Sequence, residues 1–368
     1  MKVSWEQALA WRTERQQLVR RADASQTASQ AVAVAGRLGG IQAQVMSSAE
    51  LALWARVDGL ERETVAEALW SQRALVKLWA MRGTLHLLPA DELGLWLAGL
   101  GTYRHYGVTD PATVELVKAA GQALDGTTLT RNELAAEVAR RTGSATAGNM
   151  VSGSWGFYLK PVSFSGQLCF APNDGRNVRF THPQNWVPGG IPQVPAEHAL
   201  AEITRRFLSA FGPARTEDLA RWWGVGPAQA RRMLNRLGNE TVAIDVDGDP
   251  YWILADHLSE LDSAEPEKTV RLLPAFDPWV IGASRTAPAQ LAQKYRAQVY
   301  RPQGWMSPVL LVNGQMRGVW SSQRTGRRLR VRITPFGRLP AWARRQTETE
   351  AERLADFLDG ALTLDWDS

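Results

Sequence analysis

Residues 195–254, PAEHALAEITRRFLSAFGPARTEDLARWWGVGPAQARRMLNRLGNETVAIDVDGDPYWIL, decide the fold. Apolar residues three and four apart predict one helix over residues 195–211 and a second over 216–223. Pro227, suited to a first helical turn, opens a third over 227–237. Residues 241–246 and 251–254 alternate as strands and pair across Asp247-Gly248-Asp249. Three helices and a two-stranded hairpin make a winged helix, and its third helix presents Arg231, Arg232 and Arg236 as a helix entering a major groove would. Winged helices also serve as protein-protein modules and scaffolds, so one module by itself leaves DNA contact open.

The same grammar occurs twice upstream. Ser4 with Gln7 forms a capping box for a first helix running to about residue 21. A second helix over 27–38 is broken by Gly39-Gly40, and Ser47 with Glu50 caps the next. A further helix over 61–72 precedes strands 75–81 and 84–88 about Arg82-Gly83. In the second copy Thr130 and Glu133 cap a helix, and strands 168–171 and 178–181 flank Asn173-Asp174-Gly175. From Thr269 the pattern becomes β, with short strands at 270–273, 298–300, 309–312, 316–320 and 329–333 that suggest a small twisted sheet or barrel. Residues 321–328 form a basic hairpin tip, and 348–358 a last helix with an acidic first turn. The expected fold is α+β: three tandem winged helix-turn-helix modules (1–110, 111–190, 191–262), a basic, barrel-like β region (263–345) and a C-terminal helix (346–368).

A chain of 368 residues with 45% hydrophobic and 21% charged composition is a folded protein of two or three domains. Its apolar runs fall far short of the roughly 20 residues of a spanning helix, and no apolar leader precedes the first charged helix. Cys169 is the only cysteine, so neither a disulfide nor a cysteine-rich zinc module is expected. These features predict a cytoplasmic protein with no metal, no cofactor and no membrane contact.

Charge is segregated. Net charge is +5, yet residues 278–347 hold thirteen arginines and lysines and no carboxylate, leaving −8 for the rest. Codon usage in a GC-rich genome accounts for 36 arginines against six lysines, but not for their clustering. Such a stretch is the footprint of a polyanion, nucleic acid first, with a membrane surface or an anionic protein as the other readings.

Known catalytic constellations are missing. His86, His105, His182, His198 and His257 show no metal spacing, and there is no P-loop, Rossmann fingerprint or nucleophile elbow. What remains is Gln42-Ala43-Gln44 after the Gly-Gly break. On an extended segment residues two apart point to one side, so both carboxamides can converge on one small object, whereas a helix would set them about 200° apart. The same pattern is also common among solvated turn residues.

Taken in order, Leu38-Gly39-Gly40-Ile41-Gln42-Ala43-Gln44, Met81-Arg82-Gly83-Thr84-Leu85-His86-Leu87-Leu88, Leu272-Leu273-Pro274-Ala275-Phe276-Asp277-Pro278 and Val312-Asn313-Gly314 with Gly318-Val319-Trp320 resemble the AlkZ-type winged-helix DNA glycosylases. The resemblance covers nearly the whole chain, and the two-glutamine motif matches the branch that unhooks interstrand crosslinks made by azinomycin B. It implies a monomeric enzyme that excises N7-alkylated purines from double-stranded DNA, crosslinked ones included, and acts at the nucleoid. By position Gln42 and Gln44 become the catalytic pair. The hairpin with Arg324, Arg327 and Arg328 lies against the duplex, joined by Arg317 and Arg330. His86 either contacts phosphate or packs as a wing-strand residue, and Asp277 either caps a turn or serves as a base.

The chemistry is consistent with that resemblance. N7 alkylation leaves the purine cationic, so the base departs neutral and needs no strong acid. A glutamine carbonyl can accept a hydrogen bond from the attacking water as oxocarbenium character develops. No lysine near the motif invites a Schiff base, which predicts a monofunctional enzyme, and a base tied to both strands requires an open site. A non-enzymatic DNA-binding transcriptional regulator on the same modules is the alternative, and a drug-sequestering protein the third reading.

Overall fold

The computed structural model describes residues 1–103, 110–153, 156–187 and 189–367; His105 lies outside them. The chain is mixed α and β and divides into two compact units. One comprises residues 1–65, 204–222 and 226–368, the other 66–203 and 223–225. No helix among the described residues is long and apolar enough to cross a membrane.

Local signals placed many elements. Ser4 accepts from the Gln7 amide and Gln7 answers the Ser4 amide, opening the helix Trp5–Arg15, while Thr130 and Glu133 do the same for Arg131–Thr142. Pro227 starts the helix Pro227–Asn235. The hairpin Thr241–Val246 with Asp249–Leu254 turns through Asp247 and Gly248, both at positive φ, the geometry that matches strand twist. Phe207, Phe211 and Trp222 form its helical core, with centroids 5.2 to 5.9 Å apart.

Other elements depart from expectation. The first helix stops at Arg15 because Gln17 takes a left-handed conformation. The helix Met46–Trp54 is not capped by Ser47: its first turn closes on the Val45 carbonyl, which accepts from Ser48 and Ala49, so Ser47 falls inside it. The helix expected over 61–72 is Arg62–Ala66 followed by a π turn, Glu67–Ser71, closed by Gln72 donating to the Glu67 carbonyl. Of the residues expected as a strand at 298–300, Gln298 and Val299 belong instead to a helical turn, Arg296–Val299, and Tyr300, donating to the Arg296 carbonyl, keeps only an isolated bridge to Met306. Lys2–Val3 adds a parallel strand beside Asp245 and Val246 that the sequence did not announce.

In the 66–203 unit the hairpins Leu75–Trp79 with Leu85–Pro89 and Cys169–Asp174 with Asn177–Thr181 share a core. Trp79 packs on Phe170 at 4.9 Å, Ser163 donates to the Trp79 carbonyl and Trp186 to that of Leu75. Trp54, Trp79, Trp222 and Trp223 are buried, and half-buried Trp70 meets Trp186 edge to face.

The C-terminal region is one five-stranded sheet in the order Val270–Leu273, Val309–Val312, Gln315–Thr325, Arg328–Pro335, Ala361–Trp366. Its hydrogen-bonded order is open, with an end strand on each side, where a barrel-like region was expected. The last strand, also unforeseen, runs parallel to Arg328–Pro335 after the helix Ala341–Phe357. Along Arg328–Pro335 the apolar Leu329, Val331 and Ile333 are buried and Arg328, Arg330 and Arg332 exposed, the two-residue period of a half-buried strand.

A buried ion pair anchors this unit. Arg56 and Asp277, neither reaching solvent, meet through two parallel 2.8 Å bonds. Arg56 also donates to the Ala52 carbonyl and to Gln16, which in turn donates to the Ala210 carbonyl; Asp277 caps Pro278–Gly282 through the Trp279 amide. Removing one partner strands a charge in the interior, so Arg56→Met or Asp277→Asn is expected to lose about 3–5 kcal/mol of stability. Urea unfolding followed by tryptophan fluorescence checks this, and a loss under about 1 kcal/mol would contradict it.

Candidate functional site

The glutamine motif begins where the helix Thr27–Arg37 is made to stop. Gly40 donates to the Ala35 carbonyl at 2.7 Å and Gly39 to that of Gly36 at 3.0 Å, the paired bonds of a Schellman cap. Gly39 and Gly40 have φ of 68° and 97°, which residues with a Cβ adopt only under strain. The chain leaves the cap extended as Ile41–Gln42, and residues 43–45 lead into the helix Met46–Trp54. Ile41 and Ala43 are buried, as is Gln42 at 7% exposure, while Gln44 is exposed. The two carboxamides therefore differ: one sits against the fold and the other faces solvent. Sequence spacing alone had treated them as equivalent.

Around His86 the structure favours packing over phosphate contact. Its ring is 2% exposed, and Nδ1 lies 3.0 Å from the Thr84 carbonyl. An acceptor there means Nδ1 carries the proton, which leaves Nε2 to accept from Arg82 at 3.4 Å. Burial, then the Arg82 charge, push the imidazolium pKa down to about 3, against a raising effect from the Thr84 bond. His86 is thus a neutral acceptor beneath half-exposed Arg82, which the turn Met81–Gly83 holds at φ 59°. Asp277 is likewise committed, as a cap and as the Arg56 partner.

The basic hairpin is present, with different internal roles. Strands Gln315–Thr325 and Arg328–Pro335 pair up to Thr325 and Arg328, leaving a two-residue turn, Gly326-Arg327, with Gly326 at φ 60°. Arg324, although exposed, turns its guanidinium back onto the chain, donating to the carbonyls of Gly326 at 3.0 Å, Leu358 at 2.6 Å and Asp359 at 3.1 Å. Leu358 and Asp359 terminate the helix Ala341–Phe357, where the helix dipole favours a cation. Ala361 then donates to the Arg327 carbonyl, so the turn is fastened from both sides. Arg327 and Arg328 are exposed. Arg317 is half-exposed and reaches Gln315 and the Arg338 carbonyl. Arg330 and Arg332 face Asp365 and Asp367 at 3.5 and 3.9 Å, carboxylates from outside the acid-free stretch. The footprint is narrower than the sequence count implied.

Beside Arg324 a cleft of about 630 Å³ opens among Trp54, Leu60, Glu61, Arg353 and Phe357; neither glutamine lines it. Arg353 ties the Ala341–Phe357 helix to the carbonyls of Trp54 and Val57, at the end of the helix that follows the glutamine motif. Arg231 and Arg232 are exposed on Pro227–Asn235. No group of three metal-ligating side chains occurs among the described residues.

A family model described as DNA glycosylase AlkZ-like matches residues 35–357. The interstrand DNA cross-link repair glycosylase of Streptomyces sahachiroi is 34% identical over 371 aligned positions, which cover 96% of this chain and 96% of that protein. The solved structure of Streptomyces sahachiroi DNA glycosylase AlkZ matches at a TM-score of 0.86 and 34% identity, covering 100% of both chains.

The histidine makes a sharp expectation. Its folded pKa lies below the unfolded value near 6.5, so between the two the unfolded chain binds the extra proton. Stability contributed by the neutral ring is full above pH 6.5 and is lost on acidification toward pH 3, approaching about 1.4 kcal/mol per pH unit. Imidazole ¹⁵N shifts are expected to show the Nδ1–H tautomer unchanged from pH 8 to 5; a titration near pH 6 would refute the assignment.

Proposed function

Because the chain belongs to the AlkZ-like family and is a monofunctional DNA glycosylase, a hydrolase of N-glycosyl bonds, we propose that it excises cationic N7-alkylated purines from double-stranded DNA, interstrand crosslinks of the azinomycin B type included. The similar Streptomyces sahachiroi protein is named for interstrand cross-link repair, which supports the wider substrate. The observation that carries the reading is the Gly39-Gly40 cap, which ends a helix and sets Gln42 and Gln44 two apart on the chain that follows.

Alkylation has already weakened the glycosidic bond, and the base leaves neutral. The enzyme's task is then to place a water beneath the anomeric carbon and to keep repulsive charge away from the cationic purine. Exposed Gln44 positions that water through its carbonyl oxygen. Gln42, held against the fold, orients it as positive charge shifts to the sugar. A neutral pair does both without binding the cation as tightly as carboxylates would. The purine leaves with the bonding pair, water adds at the anomeric carbon and gives up one proton to solvent, and an abasic site remains in an uncut strand.

We read the three helix-and-hairpin segments as winged helices (1–110, 111–190, 191–262), followed by the basic sheet (263–345) and the C-terminal residues (346–368), in a monomer acting in the cytoplasm at the nucleoid. Arg327 and Arg328 meet phosphates directly, with Arg317 and Arg330 on the flanking strands. Arg324 serves by fixing the hairpin on the helix end, and His86 by supporting Arg82.

Single-turnover release of 7-methylguanine from an alkylated duplex tests the chemistry. Gln44→Ala and Gln42→Ala are each expected to slow release by about 100-fold while DNA affinity persists. Wild-type release undiminished in both variants would remove the glutamines from the mechanism. For the hairpin, Arg327→Ala and Arg328→Ala should each reduce the slope of log affinity against log salt by about one. Arg324→Ala should weaken binding with the slope unchanged, and Arg324→Lys should not restore it, because a lysine keeps the charge and loses the three-carbonyl fork.

A further inference from the structure

Tryptophan is abundant in this chain and mostly internal, yet Trp305 is 46% exposed. An indole left in water forfeits one of the largest gains burial offers any side chain. Its setting is rigid. Arg301 donates to the Trp305 carbonyl and Trp305 to that of Pro302, with Gln303 and Gly304 at positive φ, while Tyr300 bridges Met306 below. Ser307 fastens the base of the loop to the carbonyls of Val299 and Gln298. Residues 301–304 are all exposed.

Behind the indole stands Phe276, buried, at 4.9 Å and edge to face. Phe276 has φ 58°, a left-handed conformation that a phenylalanine adopts only when its surroundings impose it. The next residue, Asp277, is locked by Arg56, so the strained backbone is held by the buried ion pair. The fold thus props an aromatic ring outward from a stiff loop. That loop lies within the acid-free, arginine-rich stretch of residues 278–347, with Arg301 exposed beside the ring.

We propose that Trp305 is a stacking site for a nucleobase displaced from the duplex. The inference rests on the glycosylase reading and adds a contact that reading does not contain. Cations on the loop draw in the phosphate backbone, and the indole offers a face on which any unpaired base stacks, regardless of sequence. Trp252, the other exposed tryptophan among the described residues, differs because its backbone is taken up in pairing with Ala214 and its hairpin partner.

The test uses full-length wild type, Trp305→Ala and Trp305→Phe with two duplexes containing 2-aminopurine, one with the probe base unpaired opposite an abasic analogue and one fully paired. Trp305→Ala is expected to lose about 10-fold or more in affinity for the unpaired-base duplex, and the stacking-induced quenching of the probe, with the salt slope unchanged. Trp305→Phe should keep most of both, and the paired duplex should bind all three proteins alike. Equal affinity and quenching for wild type and Trp305→Ala would overturn the proposal, as would an equal loss on both duplexes. Release of 7-methylguanine by the same wild-type preparation is read separately: its absence counts against the glycosylase reading, its presence with no effect of Trp305→Ala against the stacking site alone.

Discussion

The Arg56–Asp277 pair is the constraint around which the larger unit is organised. Two full charges without solvent are tolerable only if most of the strong bonds they need are supplied locally, and here three separate stretches of chain, at residues 16, 52–56 and 277–279, supply all but a partner for the Arg56 Nε. Such a pair adds little net stability over a well-packed apolar substitute. It does discriminate against misplacement, because a shift of any of those stretches would leave a charge unmet. Position is what the neighbouring features require, from the Phe276 backbone to the helix that follows the glutamine motif.

A glycosylase acting on cations has a different electrostatic problem from one acting on neutral bases. The substrate supplies the activation, so the protein has to attract the DNA strongly and treat the lesion gently. On the proposed reading these tasks are separated along the sequence. Arginines concentrate after residue 278, while the motif at residues 41–45 contains no charge at all. Asp365 and Asp367, from beyond the basic stretch, face Arg330 and Arg332, whereas Arg327 and Arg328 at the hairpin tip are exposed.

Much of this was legible in the sequence wherever the signal was local. Capping boxes at Ser4 and Thr130, the first-turn Pro227 and the Gly39-Gly40 break each act within a few residues and stand in the structure as read, and the turn at Asp247-Gly248 is there but one residue shorter, with Asp249 already paired. What escaped depends on partners far along the chain. Helix start at Met46 rather than Ser48, the strand Ala361–Trp366, the bonds of Arg324 to Leu358 and Asp359 and the burial of His86 are set by packing or by pairing that no short window contains. The prominence of Trp305 escaped for the same reason, since nothing in its short sequence window marks an exposed ring.

If the hairpin meets DNA as proposed, the fastening of its turn by Arg324 and Ala361 bears on how damage is recognised. Ordering a loose segment on binding costs about 1–2 kcal/mol for each backbone fixed, and a turn already held spares that penalty. A stiff hairpin also will not mould itself to an undamaged helix. The duplex has to do the bending, and its willingness to bend depends on stacking, which a lesion weakens. On the proposed reading, in which this hairpin meets the duplex, discrimination resides partly in the mechanics of the DNA, read by a protein element fastened in place.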